Sequence, residues 1–204
     1  MMDRLAQARS ILQEAETRTG LRMADDAWPV PPTLRPLLPG GLPRGSAVHV
    51  AGSRMILWSL AAAIMGENRW CVVIGMRDVG WYAAGQAGVG LDRVLYLPTG
   101  ATSAVLAAAI DGADVVVLGS GGALGAGDRR ALAGRLRNRG TTLLTTVAWP
   151  GAISIAAEVV QASGCEDGAG YVTQRIIQVR TQGRRVMVAA GEKLEPYRHL
   201  AVVS

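Results

Sequence analysis

The middle of the chain alternates short runs of β-branched and aliphatic residues with segments whose apolar residues recur at helical spacing. Consecutive apolar positions are typical of strands buried on both faces, and intervening helices make neighbouring strands parallel. The predicted strands are SAVHVAG, WCVVIGM, RVLYLP, ADVVVLG and TTLLTTVAW, and the predicted helices are Met55 to Met65, Gly80 to Ala87, Thr102 to Asp111 and Asp128 to Arg139. The pattern therefore predicts an α/β fold with a parallel sheet flanked by helices.

The two ends of the chain differ from this alternation. Leu5, Ile11 and Leu12 fall on one side of an amphipathic helix predicted over residues 2–20. Residues 28–45 are rich in Pro and Gly, which predicts an extended connector without regular elements. VTQRIIQVR and RRVMVAA flank TQG, which predicts an antiparallel hairpin at the sheet edge. We divide the chain into an N-terminal helix and linker (1–27), a core (28–190) and a C-terminal tail (191–204).

Composition narrows the class of protein. The chain has 204 residues, of which 50% are hydrophobic, so one compact domain is expected. The apolar run MILWSLAAAIMG is far shorter than the roughly 20 residues that span a bilayer. Cys71 and Cys165 form neither a disulfide framework nor a metal site. We expect a cytoplasmic protein, with no membrane and no metal, and the net charge of +5 permits nucleic acid or an acidic protein as partner.

A strand followed by Gly52 and an apolar helix has the layout of a phosphate-binding loop, but the residues that hold phosphate are missing. Counting from Gly52, Leu57 stands at the second glycine position and Trp58 at the lysine position, and only Ser59 fits. Trp58 either fills the space that a nucleotide needs or packs as an ordinary core residue. Both interpretations require a buried indole and both exclude ATP hydrolysis.

The segments GGLPRGSAVHVAG, WCVVIGMRDVGWYAAGQAGVGLDRVLYLP, GADVVVLGSGGAL and YVTQRIIQVR resemble, in order, the core of the RecA recombinase family. The resemblance implies a RecA-like fold over about residues 33–190. It places Gly119 where that family has a magnesium-linked Asp, and Arg77 on or near its catalytic Glu. It also equates PGAISIAAEVVQASGCEDGAG with the second DNA-binding loop, which here has no basic residue. The resemblance thus implies a core without catalysis, without a cofactor and without RecA-like strand pairing.

A catalytically stripped RecA core of these proportions is similar to the ImuA family, in particular its short actinobacterial type. This resemblance implies an adaptor in DNA damage-induced mutagenesis that binds the polymerase-like ImuB and, indirectly, an error-prone DNA polymerase. Such a protein is expected in the cytoplasm and at the nucleoid when it is recruited to damaged DNA. Self-association or contact with RecA would also fit. Two alternatives stay open, an inhibitor resembling the cell-division inhibitor SulA and a RecA paralogue that still binds nucleotide.

The sequence offers two sets of candidate binding residues. Basic residues that could contact DNA weakly, or an acidic protein surface, are Arg129, Arg130, Arg135, Arg137, Arg139, Arg184 and Arg185. Apolar residues that could contact a partner are Leu5, Ile11 and Leu12 near the start and Leu194, Tyr197, Leu200, Val202 and Val203 near the end. We expect the tail from residue 191 to dock on ImuB rather than to complete the sheet.

Overall fold

The computed structural model describes residues 27–120, 124–166, 169–191 and 193–197. Its helices are α1 (Arg54–Met65), α2 (Trp81–Gln86), α3 (Ser103–Gly112) and α4 (Ala126–Arg139), with 3-10 turns at Pro32–Leu34 and Leu91–Arg93. Its strands are β1 (Ala27–Trp28), β2 (Leu42–Pro43), β3 (Ala47–Ala51), β4 (Cys71–Ile74), β5 (Val94–Leu97), β6 (Val115–Leu118), β7 (Thr142–Thr145), β8 (Ile153–Glu166), β9 (Ala169–Thr181), β10 (Arg184–Ala190) and β11 (Leu194–Pro196). Each predicted helix and strand of the alternating region is therefore present within a few residues of its predicted bounds.

Nine strands form one sheet in the order β11-β10-β9-β8-β3-β7-β6-β4-β5. The strands from β5 to β8 run parallel to one another, and β9, β10 and β11 continue the sheet with antiparallel pairing. The predicted α/β fold, a mainly parallel sheet flanked by helices with an antiparallel hairpin at its C-terminal edge, is confirmed. The hairpin between β9 and β10 turns at Gln182 and Gly183, both at positive φ as tight hairpin turns require.

Two hydrophobic cores lie on the two faces of the sheet. One contains the apolar side chains of α1 and α2, and the other contains those of α3 and α4. Strands β4, β6 and β7 are buried at every position because helices cover both of their faces. No helix among the described residues has the length and apolar character needed to cross a membrane.

The Pro- and Gly-rich segment at residues 28–45 is not the extended connector that the sequence predicts. Its strands β1 and β2 pair with each other in a small antiparallel sheet. Trp28, Leu34 and Leu42 are buried in the core that α1 also fills. Proline and glycine limit regular hydrogen bonding but do not prevent burial, so the segment packs as part of the core.

Three further predictions are corrected. The segment aligned with a DNA-binding loop contains the whole of strand β8. Helix α4 begins at Ala126, and Asp128 lies in its first turn, where its carboxylate accepts a hydrogen bond from the Gly125 amide at 3.1 Å. The start of the predicted tail forms the edge strand β11, which pairs with β10. The helix predicted over residues 2–20 lies outside the described residues.

Candidate functional site

The turn between β3 and α1, where a phosphate loop would lie, packs closely against the neighbouring strand β8 at Gly52. Gly52 has φ +91°, and a Cβ built there would collide with the backbone carbonyl oxygen of Ala157 in β8. The chain pairs Ala51 with Ala156 just before this point. The close approach of β8 therefore explains the glycine without any bound phosphate.

Trp58, at the position of the phosphate-binding lysine, points into the protein. Its side chain is 1% exposed and belongs to the core on the α1 face of the sheet, with Leu57 buried beside it in the chain. Ser59, the one residue that fits the loop pattern, is also buried. The indole nitrogen of Trp58 is buried without a hydrogen-bond partner among the described residues. The burial that both interpretations of Trp58 require is thus present.

The carboxyl ends of β4 and β6, where the family has its two acidic residues, are packed tightly together. A Cβ at Gly119 would lie 2.7 Å from the Gly75 carbonyl oxygen and 2.8 Å from the Met76 Cα. Thr146 Oγ1 donates a hydrogen bond to the Gly119 carbonyl at 2.7 Å, which further fixes this turn. An aspartate at position 119 would have to displace backbone atoms.

Arg77 and Asp78 follow β4 and are exposed. Asp78 is the single carboxylate of the loop at residues 75–80, and neither side chain forms an ion pair among the described residues. The described residues also contain no group of three or more His, Cys, Asp or Glu side chains that could hold a metal ion. The positions of the RecA family's aspartate and glutamate thus lie just after the neighbouring strands β6 and β4, and they are occupied here by Gly119 and Arg77.

The arginines of α4 do not form one free basic face. Arg135 donates two hydrogen bonds to Asp111 of α3, one from Nε to Oδ1 at 2.8 Å and one from Nη2 to Oδ2. Arg139 donates to the same carboxylate from Nε at 2.9 Å. The hydrogen bond from Arg135, assisted by Arg139, lowers the pKa of Asp111 to about 2. These two arginines fasten α4 to α3.

Arg129 also has a structural role, since its Nη1 donates to the Ala148 carbonyl at 2.8 Å and its guanidinium lies 5.4 Å from the Trp149 ring centroid. Arg130 and Arg137 are exposed. Arg184 and Arg185 are exposed at the start of β10, where Arg185 is paired in register with Arg180. The predicted basic residues thus lie in two separate places, α4 and the β9–β10 turn.

The predicted partner-binding residues near the C-terminus divide into two groups. Leu194 is half-buried and packs against the core, and the Tyr197 amide donates to the Met187 carbonyl at 3.4 Å. These two residues belong to the edge of the sheet, so the expectation that the tail does not complete the sheet is wrong at its start, and their contact with a partner stays a prediction. Leu200, Val202 and Val203, like Leu5, Ile11 and Leu12, lie outside the described residues.

The structure adds an apolar surface that the sequence analysis missed. The described side chains of β8 after Glu158 and of β9 before Ile176 are exposed, although the two strands remain paired with each other. We call this paired, exposed part the β8–β9 ribbon. Large apolar side chains are exposed on it: Val159, Val160, Tyr171 and Val172. Tyr171 is 87% exposed. The sequence does contain the apolar pair at 159–160, but the resemblance to RecA places it in a loop.

A second missed feature lies at residue 28. The guanidinium carbon of Arg44 is 3.7 Å from the Trp28 ring centroid, and that of Arg69 is 4.7 Å away. The Trp28 indole donates to Thr142 Oγ1 at 2.9 Å, which anchors the ring beside the amino end of β7. Only a tertiary fold that brings residues 28, 44 and 69 together could reveal this cluster.

These observations define the class of protein: an α/β protein with a mainly parallel sheet, in which Trp58 is buried at the position of a phosphate-loop lysine. Residues 36–151 match the model of the MT3502 N-terminal domain family, and the chain belongs to that family. It is also 38% identical over 116 residues to the uncharacterized protein Rv3395c of Mycobacterium tuberculosis strain H37Rv. That alignment covers 55% of this chain and 57% of the relative, so the chain spans little more than half the length of the curated relative it matches. The family match ends before β8, which leaves the β8–β9 ribbon outside it.

Proposed function

We propose that the chain is a non-catalytic adaptor of DNA damage-induced mutagenesis, an ImuA-type protein that binds the polymerase-like ImuB and through it supports an error-prone DNA polymerase. The resemblance of the sequence to the ImuA family is what names the pathway and the partner. The absence of Lys, Asp and Glu at positions 58, 119 and 77 supports a role without ATP hydrolysis. Weak DNA binding through Arg130 and Arg137 would accompany this role and fall as salt rises.

The single observation that favours an adaptor is the β8–β9 ribbon. A two-stranded ribbon that buries little of its own apolar surface is marginally stable in water. Exposed Tyr and Val side chains on such an element are typical of protein–protein contacts, in which aromatic anchors contribute much of the binding energy. The ribbon also lies in the same sheet as β11, from which residues 198–204 continue with Leu200, Val202 and Val203. We propose that the ribbon forms the main ImuB surface and that the tail adds a second contact through Leu200, Val202 and Val203.

Affinity capture from DNA-damaged cells tests this function. The wild-type chain should recover ImuB, and a Tyr171→Ser/Val172→Ser variant should recover far less, because loss of an aromatic anchor costs about 2 kcal/mol, roughly a 30-fold loss of affinity. Tyr82→Ser is the matched control, since Tyr82 is 80% exposed but lies on α2. Both variants should melt at the wild-type temperature, because neither removes a buried side chain.

A deletion of residues 198–204 separates the tail from the sheet edge, because it leaves β11 intact. We expect it to reduce recovery of ImuB without changing the melting transition. Recovery of a cell-division protein in place of ImuB would select the SulA-like alternative. A saturable, ATP-dependent rise in melting temperature would select the residual nucleotide-binding alternative.

A further inference from the structure

A groove lies over the small β1–β2 sheet, and we call it the Trp28 groove. Its volume is about 580 Å³, and its walls carry three arginines, Arg35, Arg44 and Arg69. None of the described residues that line it is acidic, and none of the three arginines forms an ion pair within the described part of the chain. The groove therefore concentrates three positive charges, and the acidic residues Asp111 and Asp114 belong to the adjoining pocket that shares Trp28 and Arg44 with it.

Two of these cations converge on one side chain. The guanidinium groups of Arg44 and Arg69 both contact the ring of Trp28, which is 4% exposed. Stacking on an aromatic ring attracts each cation, but the two like charges repel each other. A carboxylate that binds either guanidinium offsets this repulsion and accepts hydrogen bonds from the planar N–H groups.

The arginines are held in position before a ligand arrives. Arg69 Nη1 donates to the Ile64 carbonyl at 3.0 Å, at the C-terminus of α1, where a positive charge is also favoured by the helix dipole. Arg44 is held against the Trp28 ring, which is itself anchored by its hydrogen bond to Thr142. Side chains that are already ordered lose less conformational entropy on binding.

The remainder of the groove is apolar. Val30, Leu38 and Pro39 line it together with Gly40 and Gly41. A phosphate backbone gains nothing from such a floor. A single-stranded nucleic acid would also need an open aromatic face for base stacking, and the guanidinium groups already cover Trp28.

We propose that the Trp28 groove binds an acidic peptide segment of a partner protein in which carboxylates alternate with aliphatic side chains. The carboxylates bind Arg44 and Arg69, and the aliphatic side chains occupy the floor at Val30 and Leu38. This site lies in the part of the fold that begins before β3, whereas the proposed ImuB surface lies in β8, β9 and the tail. The proposal does not depend on the identity of ImuB.

Fluorescence anisotropy of the full-length chain tests the proposal, with a short fluorescein-labelled peptide that alternates Asp and Leu as the probe. The peptide should bind saturably, and a peptide that alternates Asn and Leu should bind at least about tenfold more weakly, because charge-assisted hydrogen bonds are lost. Arg44→Gln should raise the Kd of the acidic peptide about tenfold, and Arg44→Lys should restore only part of the affinity because the planar fork is lost.

Arg69→Gln has a matched control in Arg54→Gln. Both substitutions remove one charge, but Arg54 is exposed at the other end of α1 and does not line the groove. Arg54→Gln should leave the Kd within about twofold, because a single distant surface charge is screened by salt. Equal losses for the two variants would show nonspecific attraction to a basic protein and overturn the proposal.

Two further experiments distinguish an acidic partner peptide from nucleic acid and from an acidic segment of this chain. Competition by an oligo-dT strand that disappears in Arg44→Gln would assign the groove to nucleic acid and overturn the proposal. Asp25 and Asp26 directly precede Ala27 in the chain. If the peptide binds only after Asp25→Asn/Asp26→Asn, the groove is a docking site for this chain's own acidic segment and the proposal is wrong.

Discussion

The parallel part of the sheet and the β8–β9 ribbon are built from similar residues but have opposite environments. DVVVLGS contains β6 and EVVQASG belongs to the ribbon, and both begin with an acidic residue followed by valines. Val117 is fully buried, whereas Val160 is 49% exposed. Strand β6 has a neighbouring strand on each edge and helices on both faces, while the ribbon extends beyond the helices. A local run of apolar residues therefore predicts a strand, but it does not determine whether that strand is buried in the core or exposed at the surface.

Among the substitutions that compare the two regions, we expect the largest loss of stability at Trp58, in the core beside the parallel strands. Trp58→Ala should lower the free energy of unfolding by about 3 to 5 kcal/mol, because it leaves a large cavity in the core on the α1 face. Trp70→Ala is the control, because Trp70 is 52% exposed and its polar contact to Asp114 is made by its backbone amide. The control should change stability by about 0.5 kcal/mol or less in urea unfolding. Equal effects would show that the indole of Trp58 does not carry the packing of the core.

The second-largest loss of stability is expected at Gly52, in the turn before α1. Gly52→Ala should destabilise by about 2 kcal/mol or more, since the new Cβ combines a positive φ with a collision against the β8 backbone. Gly80→Ala is matched in φ at +66° but has open space around it, so it should cost only about 1 kcal/mol of backbone strain. Thermal and urea unfolding of both variants measure the difference. Equal losses would mean that β8 does not press on this turn.

The ribbon should respond in the opposite way to the core. Val160→Ser should change the free energy of unfolding by about 0.5 kcal/mol or less, because Val160 has no covering layer to lose in the isolated chain. Val117→Ser in β6 places a hydroxyl among buried apolar side chains and removes a methyl group, and it should cost about 2 to 4 kcal/mol. A large loss at Val160 would show that the ribbon is already packed, and it would remove the main support for an adaptor surface.

The parts of the fold that local pattern determines were predictable, and those that depend on tertiary contacts were not. Strand β4 and helix α1 follow from short apolar runs and helical spacing alone. The burial of Leu34 and Leu42 does not follow from a Pro-rich segment, because their neighbours are distant in the chain. The resemblance to RecA predicts a loop where β8 forms, although the apolar run of this segment also fits a strand.

The same division applies to the candidate site. The sequence alone shows that positions 58, 77 and 119 lack the Lys, Glu and Asp of the RecA family, once the spacing of the phosphate loop is counted and the resemblance is followed. The contact of Gly52 with β8, the close packing at Gly119 and the two arginines at Trp28 depend on strand order and crossing segments, which the sequence does not state. The pairing of Arg135 and Arg139 with Asp111 likewise required α3 and α4 to be placed side by side.

The smallest change in stability is expected for the ion pairs of Asp111 with Arg135 and Arg139, which join α3 and α4 on the surface. The hydrogen bond from Arg135, assisted by Arg139, holds the pKa of Asp111 at about 2, below its ordinary value of 3.8. A carboxylate with a lowered pKa stabilises the fold fully above the unfolded-state value, and this contribution disappears as the pH falls from about 4 through about 2. In a carboxyl NMR titration, Arg135→Gln should raise the Asp111 midpoint toward 3.8, whereas Arg130→Gln, on the same helix but without a contact to Asp111, should leave it unchanged. Because exposed ion pairs contribute little to stability, Asp111→Asn should shift the melting temperature only slightly near neutral pH, and the shift should shrink as the pH falls from about 4 through about 2. A midpoint near 3.8 in the wild-type chain would show that α3 and α4 are not joined by these arginines in solution.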